Sequence, residues 1–242
     1  MGSDLGWLVP PPHGKSEKTE ADFQKEREEM IERLIGWGLL RSRSIIEAMR
    51  EVPREEFMPR DYVDYAYLEV PFPIPGDGMQ TISCPHSYPL FYEALELGSG
   101  DRFLEVGTGS GYGAAIAREI VGRDGKVVSV EMNEVTFRFA EYNLRRLGYD
   151  DIILVRGDGS MGYQMEAPYT KVSVTADTPT VPPPLMEQLA SPGRLVSPVG
   201  RNPDGSQDLV LVRKGSDGTT TLDVVDKVLY VPLTGRYGWR DL

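Results

Sequence analysis

Cysteine and histidine are almost missing from this chain. A single cysteine, Cys84, in 242 residues excludes an intramolecular disulfide and any cysteine-based metal cluster. The only imidazoles are His13 and His86, and neither sits in a pattern that would give a Ser–His–Asp relay or a set of metal ligands. No metal is therefore expected. Long apolar runs are absent too, since nothing approaches the ~18 residues of a membrane span. The first residues lack a charged start leading into a long apolar core, so no secretory signal is read and the cytoplasm is the expected compartment. Positive charge is in deficit. The 26 Lys and Arg face 37 Asp and Glu, and the net charge of −11 argues against nucleic acid or an anionic membrane as a partner. Nothing in the sequence fixes an oligomeric state.

What is present is patterned. Residues 1–20 contain Pro10-Pro11-Pro12 and a Gly/Ser/Lys mixture without periodicity, and read as a flexible tail. From Ala21 to Trp37, Phe23, Met30, Ile31, Leu34 and Ile35 recur near helical spacing among charged residues, which predicts an amphipathic helix stopped by Gly36 and Gly38. A second helix is expected over 44–51, closed by Val52-Pro53. The Tyr- and Pro-rich stretch 57–75 reads as irregular chain laid over the main domain, and Gly76-Asp77-Gly78 as a turn. The organisation expected is a tail over 1–20, a helical and irregular segment over 21–77, and the main domain over 78–242.

In that main domain a helix is expected over 88–97, and then strands and helices alternate. Strands are predicted over 103–106, 126–131, 152–156, 171–175, 194–198, 208–213 and 222–232, with helices over 112–121, 134–147 and 183–189. Alternation of this kind gives an α/β fold, a doubly wound and mostly parallel seven-stranded sheet. Only Gly215-Ser216-Asp217-Gly218 separates the last two strands, too short for a parallel crossover, so the sheet should end in an antiparallel hairpin.

The chain is organised around Arg102-Phe103-Leu104-Glu105-Val106-Gly107-Thr108-Gly109-Ser110-Gly111-Tyr112. A short apolar strand breaks there into a glycine-rich turn that feeds a helix, which is a nucleotide cradle in outline. Ligands of doubly wound sheets sit beyond the carboxyl ends of the strands. Glu131, ending the second strand, can accept from both ribose hydroxyls, and Asp158, between Gly157 and Gly159, can accept from an adenine amino group. The plainer readings are a charge favouring the next helix for Glu131 and a turn former for Asp158. A nicotinamide dinucleotide competes, because Gly109-Ser110-Gly111-Tyr112-Gly113-Ala114 has the GxGxxG/A form with Glu131 at a suitable distance. Glu105 weighs against it. A carboxylate beside a pyrophosphate has no use, whereas a cationic amino-acid moiety favours one.

Glu-x-Gly-x-Gly-x-Gly resembles the first motif of class I S-adenosylmethionine-dependent methyltransferases. Further stretches are similar, in order, to the protein-L-isoaspartate O-methyltransferase family: Thr81-Ile82-Ser83 with Pro85-His86, the glycine turn itself, Gly157-Asp158-Gly159, Ala167-Pro168-Tyr169, Gly193-Arg194-Leu195-Val196 with Pro198-Val199-Gly200, and Val231-Pro232-Leu233-Thr234-Gly235. The resemblance runs from about Ile31 to the C-terminus. It implies methyl transfer from S-adenosylmethionine to the α-carboxylate of L-isoaspartyl residues in proteins and peptides; the ester then collapses to a succinimide. It implies Ser83 as the active-site serine. Glu105, Gly107, Gly109 and Ser110 would line the cofactor, Glu131 and Met132 flank its ribose, and Asp158 and Gly159 meet its adenine. Gln80, Thr81, Ile82 and Thr234 would close the site.

The chemistry fits what the chain lacks. A carboxylate with a pKa near ~4 is ionised at neutral pH and needs no strong base; the remaining task is alignment and partial desolvation. A serine hydroxyl donating to one carboxylate oxygen suits that task. Alone, Ser83 would read as a turn residue before Pro85, His86 reads as a packing or orienting residue, and Cys84 is given no role. Two departures from the family pattern stand out. Asp177 replaces a small apolar residue at the end of a strand, where its charge is expected near the substrate channel, and Thr170 replaces the aspartate after Ala-Pro-Tyr. They keep open a methyltransferase acting on a different carboxylate, and beside it a cofactor-binding protein without turnover.

Overall fold

A computed structural model describes Gly14 and residues 16–239, so most of the segment read as a tail lies outside the described residues. The first helix, α1 (Glu20–Gly36), begins at a reciprocal cap in which Thr19 and Asp22 satisfy each other's backbone N–H groups, and it buries Phe23, Met30, Ile31 and Leu34 as the spacing requires. Helix α2 (Arg43–Glu51) ends ahead of Pro53. A 3₁₀ segment, Arg54–Phe57, leads into the irregular stretch, which contains a second, Arg60–Tyr65. That stretch ends in a small ladder that sequence periodicity did not disclose: β1 (Phe72–Pro73) pairs antiparallel with β2 (Thr81–Ile82). Two-residue strands carry no readable alternation.

After α3 (Ser87–Leu95) come β3 (Arg102–Val106), α4 (Tyr112–Val121), β4 (Lys126–Glu131), α5 (Glu134–Arg146), β5 (Ile153–Arg156), β6 (Tyr169–Val174), α6 (Pro183–Gln188), β7 (Leu189–Val199), β8 (Gln207–Lys214) and β9 (Thr220–Val228). The seven-stranded sheet has the order β5-β4-β3-β6-β7-β8-β9. Strands β3 to β7 are parallel; β8 runs antiparallel to both β7 and β9. The terminal hairpin is therefore as expected, with a second antiparallel step before it, because the link 200–206 is also too short for a crossover. Strand β9 stops earlier than 232. The chain leaves it and bridges from Pro232 to Asp177 at the end of β6.

Each face of the sheet carries its own apolar cluster. One joins α1 and α2 to α3, α4, Phe103 and Val127, and the other joins Leu104, Val106, Val128 and Val172 to Leu185 of α6. Successive residues of β3 and β4 thus point into opposite clusters, as the pleat demands. Among the described residues no helix is long and apolar enough to cross a membrane.

Candidate active site

Strand β3 is flanked by β4, which follows it, and by β6. At that reversal of strand order the crossovers diverge to opposite sides, leaving a crevice beyond the carboxyl ends. A cleft of about 920 Å³ lies there, a volume suited to a small-molecule ligand. Its floor is the turn after β3. Gly107 holds a left-handed φ of 95° with the Thr175 hydroxyl beside it, and Thr175 donates that hydroxyl to the carbonyl of Gly107 at 2.7 Å. A Cβ on Gly113, at the start of α4, would run into the Glu105 carboxylate. The glycines keep the turn tight and Glu105 open to the cleft.

Glu105 is 2% exposed. Its partner is the Ser129 hydroxyl, donating at 2.6 Å, itself 2.7 Å from the Thr108 hydroxyl. Burial pushes its carboxyl up to about 8, against the bond from Ser129, and the charge of Glu131 adds to the rise. An underused buried carboxylate at the cleft floor is what a cationic ligand group would complement. Glu131 ends β4 and accepts the N–H groups of Gly109 at 3.1 Å and Asn133 at 3.0 Å; burial raises its pKa while those N–H groups oppose the rise. The cap of α5 is Asn133, which accepts from Val135 and Thr136, so Glu131 is not employed there.

The structure brings Gln80, Thr81, Ile82 and Ser83 to one wall, Gly107, Gly109 and Ser110 to the floor, and Met132, Gly159 and Thr234 to the rim. Thr234 donates its hydroxyl to the Met132 sulfur at 3.4 Å, joining two parts of that rim. Asp158 is not brought in. Its carboxylate accepts from the N–H and hydroxyl of Ser160 at 3.0 and 2.7 Å and from the Arg236 N–H at 2.8 Å. It makes a turn and ties down the segment after Thr234.

Ser83 follows β2, and its carbonyl accepts from Arg54 Nη2 at 2.7 Å. Arg54 is fully buried, donates also to the Ala66 carbonyl at 2.6 Å, and lies over the rings of Tyr88 and Tyr112. Tyr230 lines the same cleft as Ser83 and Ser87, and its pKa is raised chiefly by burial while those two hydroxyls oppose the rise. Arg54, Tyr230, Thr175 and Ser129 went unrecognised in the sequence, because each reaches the site through a long-range contact that no local pattern encodes. Among the described residues lining the cleft none is Lys, Arg or His.

Both departures fall away from the cleft. Asp177 is 1% exposed and absent from the lining. Its carboxylate sits 3.5 Å from Arg201 Nε, and Arg201 in turn lies 4.1 Å over the ring of Trp239. β6 ends at Val174, so no strand pleat sets the direction of Asp177: Thr175 and Ala176 both line the cleft, and Asp177 is carried beneath the C-terminal segment, its N–H donating to the Val231 carbonyl and its carbonyl accepting from the Leu233 N–H. Thr170 lies at the other end of β6, donating to Asp101 at 2.7 Å and accepting from the Arg102 N–H at 3.0 Å.

A model of the protein-L-isoaspartate(D-aspartate) O-methyltransferase family matches residues 25–238. The chain belongs to this family. It is 46% identical to protein-L-isoaspartate O-methyltransferase 2 of Archaeoglobus fulgidus, over 91% of this chain and 98% of the relative. It is 43% identical to the protein-L-isoaspartate O-methyltransferase of Methanothermobacter thermautotrophicus, over 89% and 98%. A solved protein-L-isoaspartate O-methyltransferase superposes with a TM-score of 0.77 at 32% identity, covering 88% of this chain and 67% of that one. A Plasmodium falciparum structure described as a beta-aspartate methyltransferase, in complex with S-adenosyl-L-homocysteine, shares the fold at a TM-score of 0.74 and 22% identity, over 86% and 98%. The family's cofactor is S-adenosylmethionine, which decides the question the glycine turn left between a methyl donor and a dinucleotide.

Proposed function

We infer that this methyltransferase esterifies the α-carboxylate of L-isoaspartyl residues in proteins and peptides, and that the 920 Å³ cleft holds S-adenosylmethionine together with that residue. One observation carries the reading: the family's Thr-Ile-Ser stretch stands on the same cleft wall that faces the glycine turn, so a peptide carboxylate at Ser83 meets a cofactor seated over Glu105. The residues present fit the cofactor. Glu105 is buried with the Ser129 hydroxyl as its hydrogen-bond donor, which suits a positively charged group, and Glu131 ends β4 within hydrogen-bond reach of the Gly109 N–H in the turn.

When bound, the cofactor supplies an electrophilic methyl group on a positively charged sulfur. The protein has little acid–base work to do. With no Lys, Arg or His among the described residues lining the cleft, none of these forms an ion pair that blunts the incoming carboxylate as a nucleophile. The Ser83 hydroxyl donates to one carboxylate oxygen and leaves the other free to attack. Arg54 fixes the Ser83 backbone from behind. Ile82 and Thr234 exclude water from the reacting pair.

The test is incubation with labelled S-adenosylmethionine and paired peptides differing only in an isoaspartyl or aspartyl linkage. Label is expected in the isoaspartyl peptide alone. Equal labelling of both, or of neither, would overturn the assignment. The two departures that favoured another substrate lie outside the cleft lining and give no support to a second reading.

A further inference from the structure

Behind the cleft wall, three metal-ligating side chains converge from separate parts of the chain. Glu69 follows the second 3₁₀ segment, while Cys84 and His86 flank Pro85 between β2 and α3. One donor atom from each lies within 4.8 Å of the others. No sequence motif announces the group, since Glu69 stands 17 residues from His86.

We propose that Glu69, Cys84 and His86 form a three-ligand site for a thiophilic divalent cation of the zinc type. The donor set is one sulfur, one nitrogen and one oxygen. That mixture suits a borderline-soft ion and is wrong for Mg²⁺ or Ca²⁺, which take oxygen shells. Zinc bonds of about 2.0–2.3 Å place tetrahedral ligands roughly 3.3–3.8 Å apart, so the donors, now within 4.8 Å of one another, must draw in, the 2.7 Å contact of His86 Nδ1 with Glu69 Oε1 must open, and a fourth position is left for water.

The backbone is already held. The Ser83 carbonyl is fixed by Arg54, and the Cys84 carbonyl accepts from the Ser87 N–H at 3.1 Å. Glu69 Oε1 accepts from both the backbone N–H of His86 at 2.8 Å and its Nδ1 at 2.7 Å, orienting the ring. Glu69 Oε2 is buried without a hydrogen-bond partner, with Arg33 3.9 Å away. A cation there would give a direct bond to an oxygen whose present partner is that long ion pair. On binding, the Cys84 S–H bond breaks, a sulfur–metal bond forms, and the proton goes to solvent.

Cys84 adjoins Ser83 and lines the cleft with it. Occupation therefore pins the wall that receives the peptide carboxylate and slows methyl transfer, a consequence that rests on the role assigned to Ser83. It should raise the KM for the isoaspartyl peptide and leave cofactor affinity unchanged.

The experiment titrates the full-length protein with ZnCl₂ against a chromogenic chelator, and with CoCl₂ while recording the thiolate-to-cobalt charge-transfer band. Both read the site without reference to catalysis. One equivalent should bind with a thiolate band, and Cys84→Ala or Glu69→Gln should weaken zinc by about 100-fold or more. Zinc bound equally by wild type and both variants, or cobalt bound without the band, overturns the site. Zinc should inhibit the wild type but not Cys84→Ala, each measured against its own metal-free rate. Tight stoichiometric binding without inhibition overturns the regulatory consequence.

Discussion

Glu105 shows how burial turns one side chain into a sensor of its ligand. Its ordinary pKa of 4.5 is raised to about 8 in the fold. Between those values the unfolded chain gives up the proton and the folded chain keeps it. This group's contribution to the stability of the ligand-free enzyme is therefore complete below pH 4.5, declines as pH rises, and is gone above about 8. Glu105→Gln should flatten that part of the pH–stability curve. A cationic cofactor group draws Glu105 into its charged form, and at about 1.4 kcal/mol per pKa unit the relief is several kcal/mol. Cofactor binding at pH 7 should release up to one proton, seen as a binding heat that changes with buffer ionisation enthalpy. Glu105→Gln should abolish the dependence; a wild-type heat indifferent to buffer would contradict the role. Ser83 acts at the other reactant. Losing its charge-assisted hydrogen bond costs about 1.5–3 kcal/mol, so Ser83→Ala should lower turnover ~10–150-fold with cofactor affinity nearly intact. Unchanged turnover would remove Ser83 from the mechanism.

At the scale of elements, the link from β9 to the C-terminal segment decides what the strands alone do not. The segment crosses the end of β6 with Asp177 as its anchor, bonded through its backbone on both sides and through its carboxylate to Arg201. Burial lifts the Asp177 carboxyl to about 6, with Trp239 and Arg201 pulling the other way. Asp177→Ala keeps both backbone bonds to the segment that carries Thr234 and removes only the carboxylate's pairing with Arg201, so cofactor binding should weaken by no more than about fivefold, the equivalent of roughly 1 kcal/mol of lost polar contact. The peptide kcat should hardly move; a changed preference between carboxylate substrates would return Asp177 to the channel. What the sequence disclosed follows the same division. Alternating strands, the glycine turn and the Thr81–Ser83 wall are local patterns, and each was legible. The direction of Asp177, beyond the end of β6, depended on a partner segment more than 50 residues later in the chain. The tie from Asp158 to the C-terminal segment was not legible either, since the Arg236 N–H that its carboxylate accepts from lies 78 residues away.

For the whole molecule, the same logic ties the N-terminal helices to catalysis. Phe23, Met30 and Leu34 of α1 and Ile45 and Met49 of α2 belong to one apolar cluster with Tyr112 and Ile116 of α4 and Phe103 of β3. Arg54 then joins this layer to the Ser83 loop through a buried guanidinium. We therefore propose that residues 21–77 fold with the sheet as one unit. Unfolding in urea should be a single transition, coincident by tryptophan fluorescence and far-ultraviolet circular dichroism. Arg54→Lys cannot present the planar fork that reaches two carbonyls and stacks on two rings. It should move the whole transition by about 2–4 kcal/mol, the cost of leaving one or two buried carbonyls without a donor, and should slow methyl transfer at saturating cofactor. An early loss of helix signal at unchanged activity would instead make the N-terminal layer an independent attachment.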